Sequence, residues 1–402
     1  MTRVLSIALL AGTCVLALSA PTNAGSFTLL HKFRGGKDGM NPASALVADS
    51  QGNLYGTTES GGSKNCGIAN GCGTVFRIAA DGTMAILYAF TGGNDGWESD
   101  GVTFGPDGAL YGTTWGGGTN ICGDGWGCGT VYRLTTDGQK TILYNFAGGN
   151  DGAQPAGRVA FDKKGRLYGT TALGGAFGNG TVFAISPKGV ETVLHAFGAD
   201  GDGSTPAANV VLDRDGNLYG TTVSGGTNFS GTVFKLAADG TESVLHSFGS
   251  QNDGFTAYSD LLIDRKGNLY GTTENGGSSG LGTVFRLTPS GQETVLHSFS
   301  GRSGQTIDGA NPDGGVIVGA NGDLYGATKS GGVDNLGAVY SLAPDGNLTV
   351  LHSFRGGKDG STPVATLGSD DLGTIYGTAY AGSVLKGSCS RVGCGTVFRI
   401  SQ

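Results

Sequence analysis

Gly216-Asn217-Leu218-Tyr219-Gly220-Thr221-Thr222 decides the fold of this chain, because phrases of the same type return six more times, with the tyrosine at Tyr55, Tyr111, Tyr168, Tyr270, Tyr325 and Tyr376. The step is 51 to 57 residues, a period that marks a repeat architecture. Each phrase is followed by a glycine-containing loop and a second phrase of the type Gly231-Thr232-Val233-Phe234, beginning at Gly73, Gly129, Gly180, Gly231, Gly282, Gly337 and Gly395. A third phrase, of the type Val244-Leu245-His246-Ser247-Phe248, ends at Phe33, Phe90, Phe146, Phe197, Phe248, Phe299 and Phe354, and an apolar run such as Asn209-Val210-Val211-Leu212 precedes each tyrosine phrase.

Alternating apolar residues, β-branched side chains and bounding Gly, Asp and Asn clusters read as strands. Each unit therefore holds four: A, the apolar run; B, the tyrosine phrase; C, the Gly-Thr-Val-Phe phrase; and D, the phrase ending in phenylalanine. No segment after residue 24 carries a helical period. The unit of Tyr376 reaches strand C at Val397-Phe398 and has no D strand, whereas Phe27 to Phe33 is a D strand with no unit before it. Pairing the two closes a ring and removes its exposed sheet edges. The expected fold is an all-β, seven-bladed β-propeller with four antiparallel strands per blade, the N-terminal strand completing the last blade.

Loop lengths separate the faces of the disc. The glycine opening strand C lies 17 residues before the phenylalanine ending strand D in all six uninterrupted units, and each A-to-B turn has a glycine three residues before the tyrosine. On the other face the tyrosine-to-glycine spacing is 12 in four units but 18, 18 and 19 in those of Tyr55, Tyr111 and Tyr376. These three long loops contain the cysteine pairs Cys66 with Cys72, Cys122 with Cys128, and Cys389 with Cys394. Even, closely paired cysteines in an exported chain imply disulfides. Two pairs exceed zinc-type spacing and the loops hold no histidine, so no metal is assigned.

Export is read from the N-terminus. Arg3, an apolar run from Val4 to Ala20 and Pro21-Thr22-Asn23-Ala24 form the three parts of a signal peptide over 1–24. Residues 25–402 are then a single propeller domain, periplasmic or extracellular, without a membrane span and expected to be a monomer. Charged residues are 14% of the chain, glycines 79 of 402, and the net charge is -7. This describes a turn-rich all-β protein and, with no basic run, argues against a nucleic-acid partner. No nucleotide-binding, zincin or EF-hand motif is present, and no cofactor is expected.

The phrases Gly216 to Thr222, Gly225-Gly226, Gly231-Thr232-Val233-Phe234-Lys235-Leu236 and Val244 to Phe248 resemble the Gloeo/Verruco (GloVer) tandem repeat of exported bacterial choice-of-anchor proteins. The resemblance spans almost all of 25–402. It implies export and architecture and supplies no catalytic residues. The sequence departs from that family in ending at Gln402 without a sorting helix. A looser, Kelch-like similarity lies in the Gly-Gly after strand B and concerns the fold alone.

His31, His195, His246, His297 and His352 share one repeat position, which Tyr88 and Tyr144 fill in the other two units. A position used that often reads as structural, and the Asp-Gly pairs at Asp38, Asp95, Asp151, Asp202, Asp253, Asp308 and Asp359 read as turns. Function is expected where the repeat breaks. The residue after the tyrosine phrase is Glu59, Trp115, Ala172, Val223, Glu274, Lys329 and Tyr380. Blades seven, one and two contribute Tyr380, Glu59 and Trp115 together with the cysteine loops and the remaining tryptophans, Trp97 and Trp126, accompanied by Glu98, Asp100, Asp124 and Arg391. Exposed aromatics with carboxylates suit a sugar or a partner protein. The candidate ligand-binding set is Glu59, Trp97, Glu98, Trp115, Trp126, Tyr380 and Arg391, in a binding or interaction module for a glycan or protein. The alternative is a carbohydrate-active lyase or hydrolase on the same face, using carboxylates such as Glu59, Glu98 or Asp124.

Overall fold

The computed structural model describes residues 25–402 except 65, 124, 199–200, 251, 304–305, 371, 384–388, 390–392 and 402. Seven four-stranded antiparallel sheets form the seven blades. In blade four the strands are A, Val211–Leu212; B, Leu218–Thr222; C, Thr232–Leu236; and D, Glu242–Ser247. The other blades repeat this order. Blade seven takes its D strand from Ser26–Lys32, which pairs antiparallel with Thr396–Ser401, Ser26 opposite Ser401 and Lys32 opposite Thr396. The ring is therefore closed by the two ends of the chain. Among the described residues there is no α-helix, and three D-to-A connections contain a 3-10 turn, at Gly36–Asp38, Gly93–Asp95 and Gly149–Asp151.

The repeated phrases are explained by the contacts they make. The phenylalanine ending each D strand is fully buried and meets, edge to face, the aromatic of strand C in the next blade: Phe33 with Phe76, Phe90 with Tyr132, Phe146 with Phe183, Phe197 with Phe234, Phe248 with Phe285, Phe299 with Tyr340 and Phe354 with Phe398, at 5.0 to 5.4 Å. All seven interfaces carry the pair, each worth about 0.5–1.5 kcal/mol beyond its buried area. The glycine of the tyrosine phrase makes room for the same ring, since a Cβ on Gly220 would lie 2.6 Å from Cζ of Phe234. The first threonine bonds across to the next blade, as Thr57 Oγ1 donates to the Ser99 carbonyl at 2.8 Å. The second pairs with the threonine opening strand C, Thr222 with Thr232 at 2.9 Å.

The histidines and aspartates form one device. In every blade the D-strand His or Tyr bonds the aspartate of the following Asp-Gly, at 3.0 to 3.3 Å for the five histidines and 2.7 and 2.8 Å for Tyr88 and Tyr144. The same carboxylate accepts backbone N–H groups, for example from Arg34 and Thr91, both at 2.8 Å. The Asp-Gly pairs are thus more than local turns. They clamp the outer strand to the segment that crosses the disc.

The A-to-B glycines have the expected positive φ, 80° at Gly52 and 86° at Gly216. On the other face, D-to-A connections bridge to B-to-C loops, as at Met40 with Ser60 and Trp97 with Gly116. The insertion after Phe299 forms a ribbon of Arg302–Ser303 with Thr306–Ile307.

Candidate functional site

Strands A are innermost, and the axis is crossed where they meet. Arg158 of blade three reaches Asp260 of blade five at 3.4 Å, and Thr366 of blade seven donates to the same carboxylate at 3.0 Å. Gly315 N–H of blade six donates to Thr366 Oγ1 at 2.8 Å. These residues occupy one repeat column, so the plug is made from side chains that a sequence comparison of strands B, C and D never lines up.

Toward the loop face, each blade presents a residue with left-handed backbone three positions after the clamp aspartate: Asn41, Glu98, Gln154, Thr205, Thr256, Asn311 and Thr362, φ 55 to 62°. Glutamate, glutamine and threonine are uncommon there, and such strain gathers at functional sites. The conformation is held by hydrogen bonds on both sides. The N–H of each donates to the carbonyl preceding strand C of the previous blade, Glu98 to Cys72 at 3.0 Å, Asn41 to Cys394 at 2.9 Å and Gln154 to Cys128 at 2.8 Å. In blades one and two its carbonyl accepts from the residue ending strand B, Asn41 from Glu59 at 3.1 Å and Glu98 from Trp115 at 2.8 Å.

Three of those acceptor carbonyls belong to disulfide cysteines. Cys66–Cys72, Cys122–Cys128 and Cys389–Cys394 are all formed, with Cα separations of 6.1, 5.1 and 5.0 Å. The bridges therefore fix the points from which Glu98, Gln154 and Asn41 hang.

The electrostatics identify an acidic axial layer. Burial pushes the Glu59 carboxyl up to about 8, reinforced by the charges of Glu98, Asp100 and Asp313 and opposed by a hydrogen bond from Tyr380. Burial, with Glu98, raises Asp100 to about 7 against a backbone N–H from Gly157. Asp313 is raised to about 6 by burial, against the attraction of Lys329. Glu98 is raised by burial. Lys329 forms an ion pair with Glu274, and Tyr258 lies in the field of Glu274, Asp313 and Lys329. Blades one, two, five, six and seven all contribute to this layer. At the matching positions blades three and four carry Ala172, Val223, Ala156 and Ala207, so the layer has one wall without charge.

Of the residues singled out in the sequence, Glu59, Glu98, Asp100 and Tyr380 lie in one electrostatic neighbourhood, and the tryptophans also meet. Trp97 packs edge to face on Trp115 at 5.1 Å and on Trp126 at 6.0 Å, and its indole N–H donates to the Trp126 carbonyl at 3.2 Å. A Cβ on Gly116 would sit 2.3 Å from the Trp97 ring, so that glycine admits the indole. Trp126 is 53% exposed. Asp124 and Arg391 lie outside the described residues. Sequence reasoning missed Asp313 and Tyr258, and took Glu274 and Lys329 as mere variants of one column. Their signal was available, since Tyr258 and Asp313 follow Thr256 and Asn311, the counterparts of Glu98, by two residues, and Glu274 and Lys329 share the column of Glu59.

Two of the outer clamps have the composition of a metal site among the described residues: His195, Asp202 and Glu242, and His246, Asp253 and Glu293, each with its ligand atoms within 4.8 Å of one another. In the second, burial and the charge of Asp253 raise Glu293 to about 7. In each trio one buried glutamate oxygen, Oε1 of Glu242 and Oε1 of Glu293, has no hydrogen-bond partner among the described residues.

The chain was compared with known proteins. The Gloeobacter/Verrucomicrobia repeat model matches residues 15–123, 67–263, 122–308 and 257–402. No curated protein matches. Among solved structures, the chain is similar to virginiamycin B lyase from Staphylococcus aureus, at 14% identity and TM-score 0.61, over 94% of this chain and 100% of that one. A fungal alcohol oxidase of the AA5 family, in complex with copper, aligns at 14% identity and TM-score 0.58, over 94% and 77%. The extracellular domain of a one-component system protein from B. thetaiotaomicron aligns at 12% and 0.58, over 92% of this chain and 39% of that one. At these identities the likeness concerns the fold, which is shared by a lyase, an oxidase and the extracellular domain of a one-component system. Repeat model and closed seven-bladed ring together establish that the chain belongs to the Gloeobacter/Verrucomicrobia repeat family.

Proposed function

We propose that this protein is an exported, monomeric binding module, a propeller over 25–402 released by a signal peptide at 1–24, that takes a glycan at the axial end of its loop face. The three disulfides fit a periplasmic or extracellular setting, and no helix among the described residues is long and apolar enough to cross a membrane. The observation that carries the reading is the axial layer beside the tryptophans. A carboxyl held protonated at Glu59 can donate to a sugar hydroxyl, and the Glu274 side chain can accept from one. Trp115 and Trp97 offer faces to the apolar side of a pyranose. Arg391, if it joins the site, adds a donor from blade seven.

A second reading has its own support. A glutamic acid whose proton persists to about pH 8, next to a second carboxyl and a tyrosine, has the parts of an acid and base pair for glycosidic cleavage. One experiment addresses both. Purified protein and a Trp115→Ala variant are screened against glycans and polysaccharides, with mass analysis of the same mixtures. Binding that weakens at least tenfold in the variant with no product formed supports the module. Shortened chains whose formation is abolished by Glu59→Gln establish the enzyme, and no binding or cleavage by the parent protein refutes both.

A further inference from the structure

The opposite face of the disc carries a feature that neither the axial site nor the family accounts for. Between the A-to-B turns of blades three, four and five runs an open groove of about 930 Å³. Its rim holds Lys163, Lys164, Arg166, Arg214, Arg265 and Lys266, all exposed. Six of the 25 Lys and Arg residues of the chain thus stand on three turns, against four of its 32 Asp and Glu residues, in a protein whose net charge is -7. The corresponding groove between blades one and two, about 500 Å³, has Arg77 as its one lining cation.

Three of the four acids are turned away from a ligand. Asp162 Oδ1 accepts the N–H groups of Lys164 and Arg166, both at 2.8 Å, and Oδ2 accepts the Tyr168 hydroxyl at 3.2 Å. Asp213 and Asp264 repeat this in blades four and five. Each carboxylate is absorbed by its own hairpin; Arg166 lies over the Tyr168 ring, 5.9 Å from its centroid, and the exposed Lys163, Lys164, Arg214, Arg265 and Lys266 supply the rim's charge. Because the turns are related by the blade repeat, the cations come in three successive sets.

We propose that this groove is a second binding site, for a polyanionic polysaccharide whose carboxylate or sulfate groups recur along the chain. A groove lined by successive cationic sets suits a polymer with periodic charge. Its floor, from half-buried Leu212 and Ile263 and buried Leu236, offers no exposed aromatic for stacking bases, and these three turns carry no exposed apolar residue to enter a lipid surface. The basic set was invisible in the linear sequence, where it is spread over about a hundred residues.

The test uses dextran sulfate and polygalacturonate with the parent protein, a K163Q/K164Q/R265Q/K266Q variant, and K358Q as a control on the other face. The parent is expected to bind both polymers at low salt and to lose them as salt screens the charges. The groove variant should bind at least tenfold more weakly and K358Q should match the parent. Acetylation of Lys163, Lys164 and Lys266 should be suppressed by dextran sulfate while that of Lys358 is unchanged. The proposal is overturned if the parent does not bind, if the groove variant binds equally, if K358Q loses as much, or if single-stranded DNA or anionic phospholipid vesicles compete more strongly than either polysaccharide.

Discussion

Two columns of the same repeat have had opposite histories. At the outer edge, seven of seven blades join a D-strand His or Tyr to an aspartate. At the axis, the residue ending strand B is glutamate, tryptophan, alanine, valine, glutamate, lysine or tyrosine. Both columns sit on rigid strands in one scaffold, so mutation had equal access to each. The difference teaches that every clamp solves the same mechanical problem, whereas the axial positions face one another across a single space and need not match for the blades to stack.

That contrast can be broken most forcefully at the seam. Deleting residues 25–33 removes the D strand of blade seven and the Phe33 contact with Phe76, leaving Thr396–Ser401 as an unpaired sheet edge. The expected result is loss of a single cooperative thermal transition, or aggregation; a transition unchanged from the parent would mean that blade seven is dispensable.

Next in size is Asp253→Ala, which strips His246 and the backbone N–H of Gly254 of their acceptor and should cost about 1–3 kcal/mol. Its pH dependence is informative. Burial works against the charged form of His246, but Asp253 and Glu293 outweigh it and raise its pKa, while Asp253 is lowered by the same bond. The pair is therefore stabilising from above the usual aspartate range to beyond the usual histidine range, and is lost on the acid side as Asp253 protonates and on the alkaline side as His246 deprotonates. His352 makes the same bond to Asp359, yet burial, aided by the charge of Arg355, lowers its pKa. Denaturation of Asp253→Ala and Asp359→Ala across pH 4 to 9 should show the larger neutral-pH loss in the former; equal profiles would refute the distinction.

Removing the Cys66–Cys72 bridge with paired serines should cost about 2 kcal/mol and, through the Cys72 carbonyl, loosen Glu98. Hydrogen exchange at the Glu98 amide should accelerate more than at Thr205, whose acceptor is the Asn179 carbonyl; equal changes would uncouple the bridge from the site. Glu59→Gln is read by the sign of its pH dependence. In the parent, folding holds this proton from the ordinary glutamate range up to about 8, so stability falls as pH rises across that window. The variant should match the parent near pH 4 and exceed it increasingly as pH rises to 9, and a difference of the opposite sign would place Glu59 among favourable partners.

The fold was legible because closure, blade number and loop partition are properties of spacing, and spacing survives in sequence. Phe248 and Gly220 repeat because every interface needs the same ring and the same absent Cβ. The site was legible only where it shared a column with those phrases, as Glu59 and Tyr380 do. Arg158, Asp260 and Thr366 share a repeat position ten residues before the tyrosine, but the residue type there changes from blade to blade and so marked no column, and Asp313 precedes its A strand, Ile317–Val318, outside the repeated phrases. The basic groove was hidden for a related reason: Lys163, Arg214 and Arg265 are neighbours only because the ring curves.

The seam between Ser26–Lys32 and Thr396–Ser401 also dictates an order of events. Its first strand is made before any blade exists and its partner is made after the other six blades, 375 positions after Ser26 in the case of Ser401. Until then the growing protein is an open arc with a lone strand at one end and an incomplete sheet at the other. Two such arcs meeting before closure can exchange strands and become a linked dimer, so the delay between completion of blade six and the arrival of Thr396–Ser401 sets how often the molecule closes on its own first strand rather than on a neighbour's.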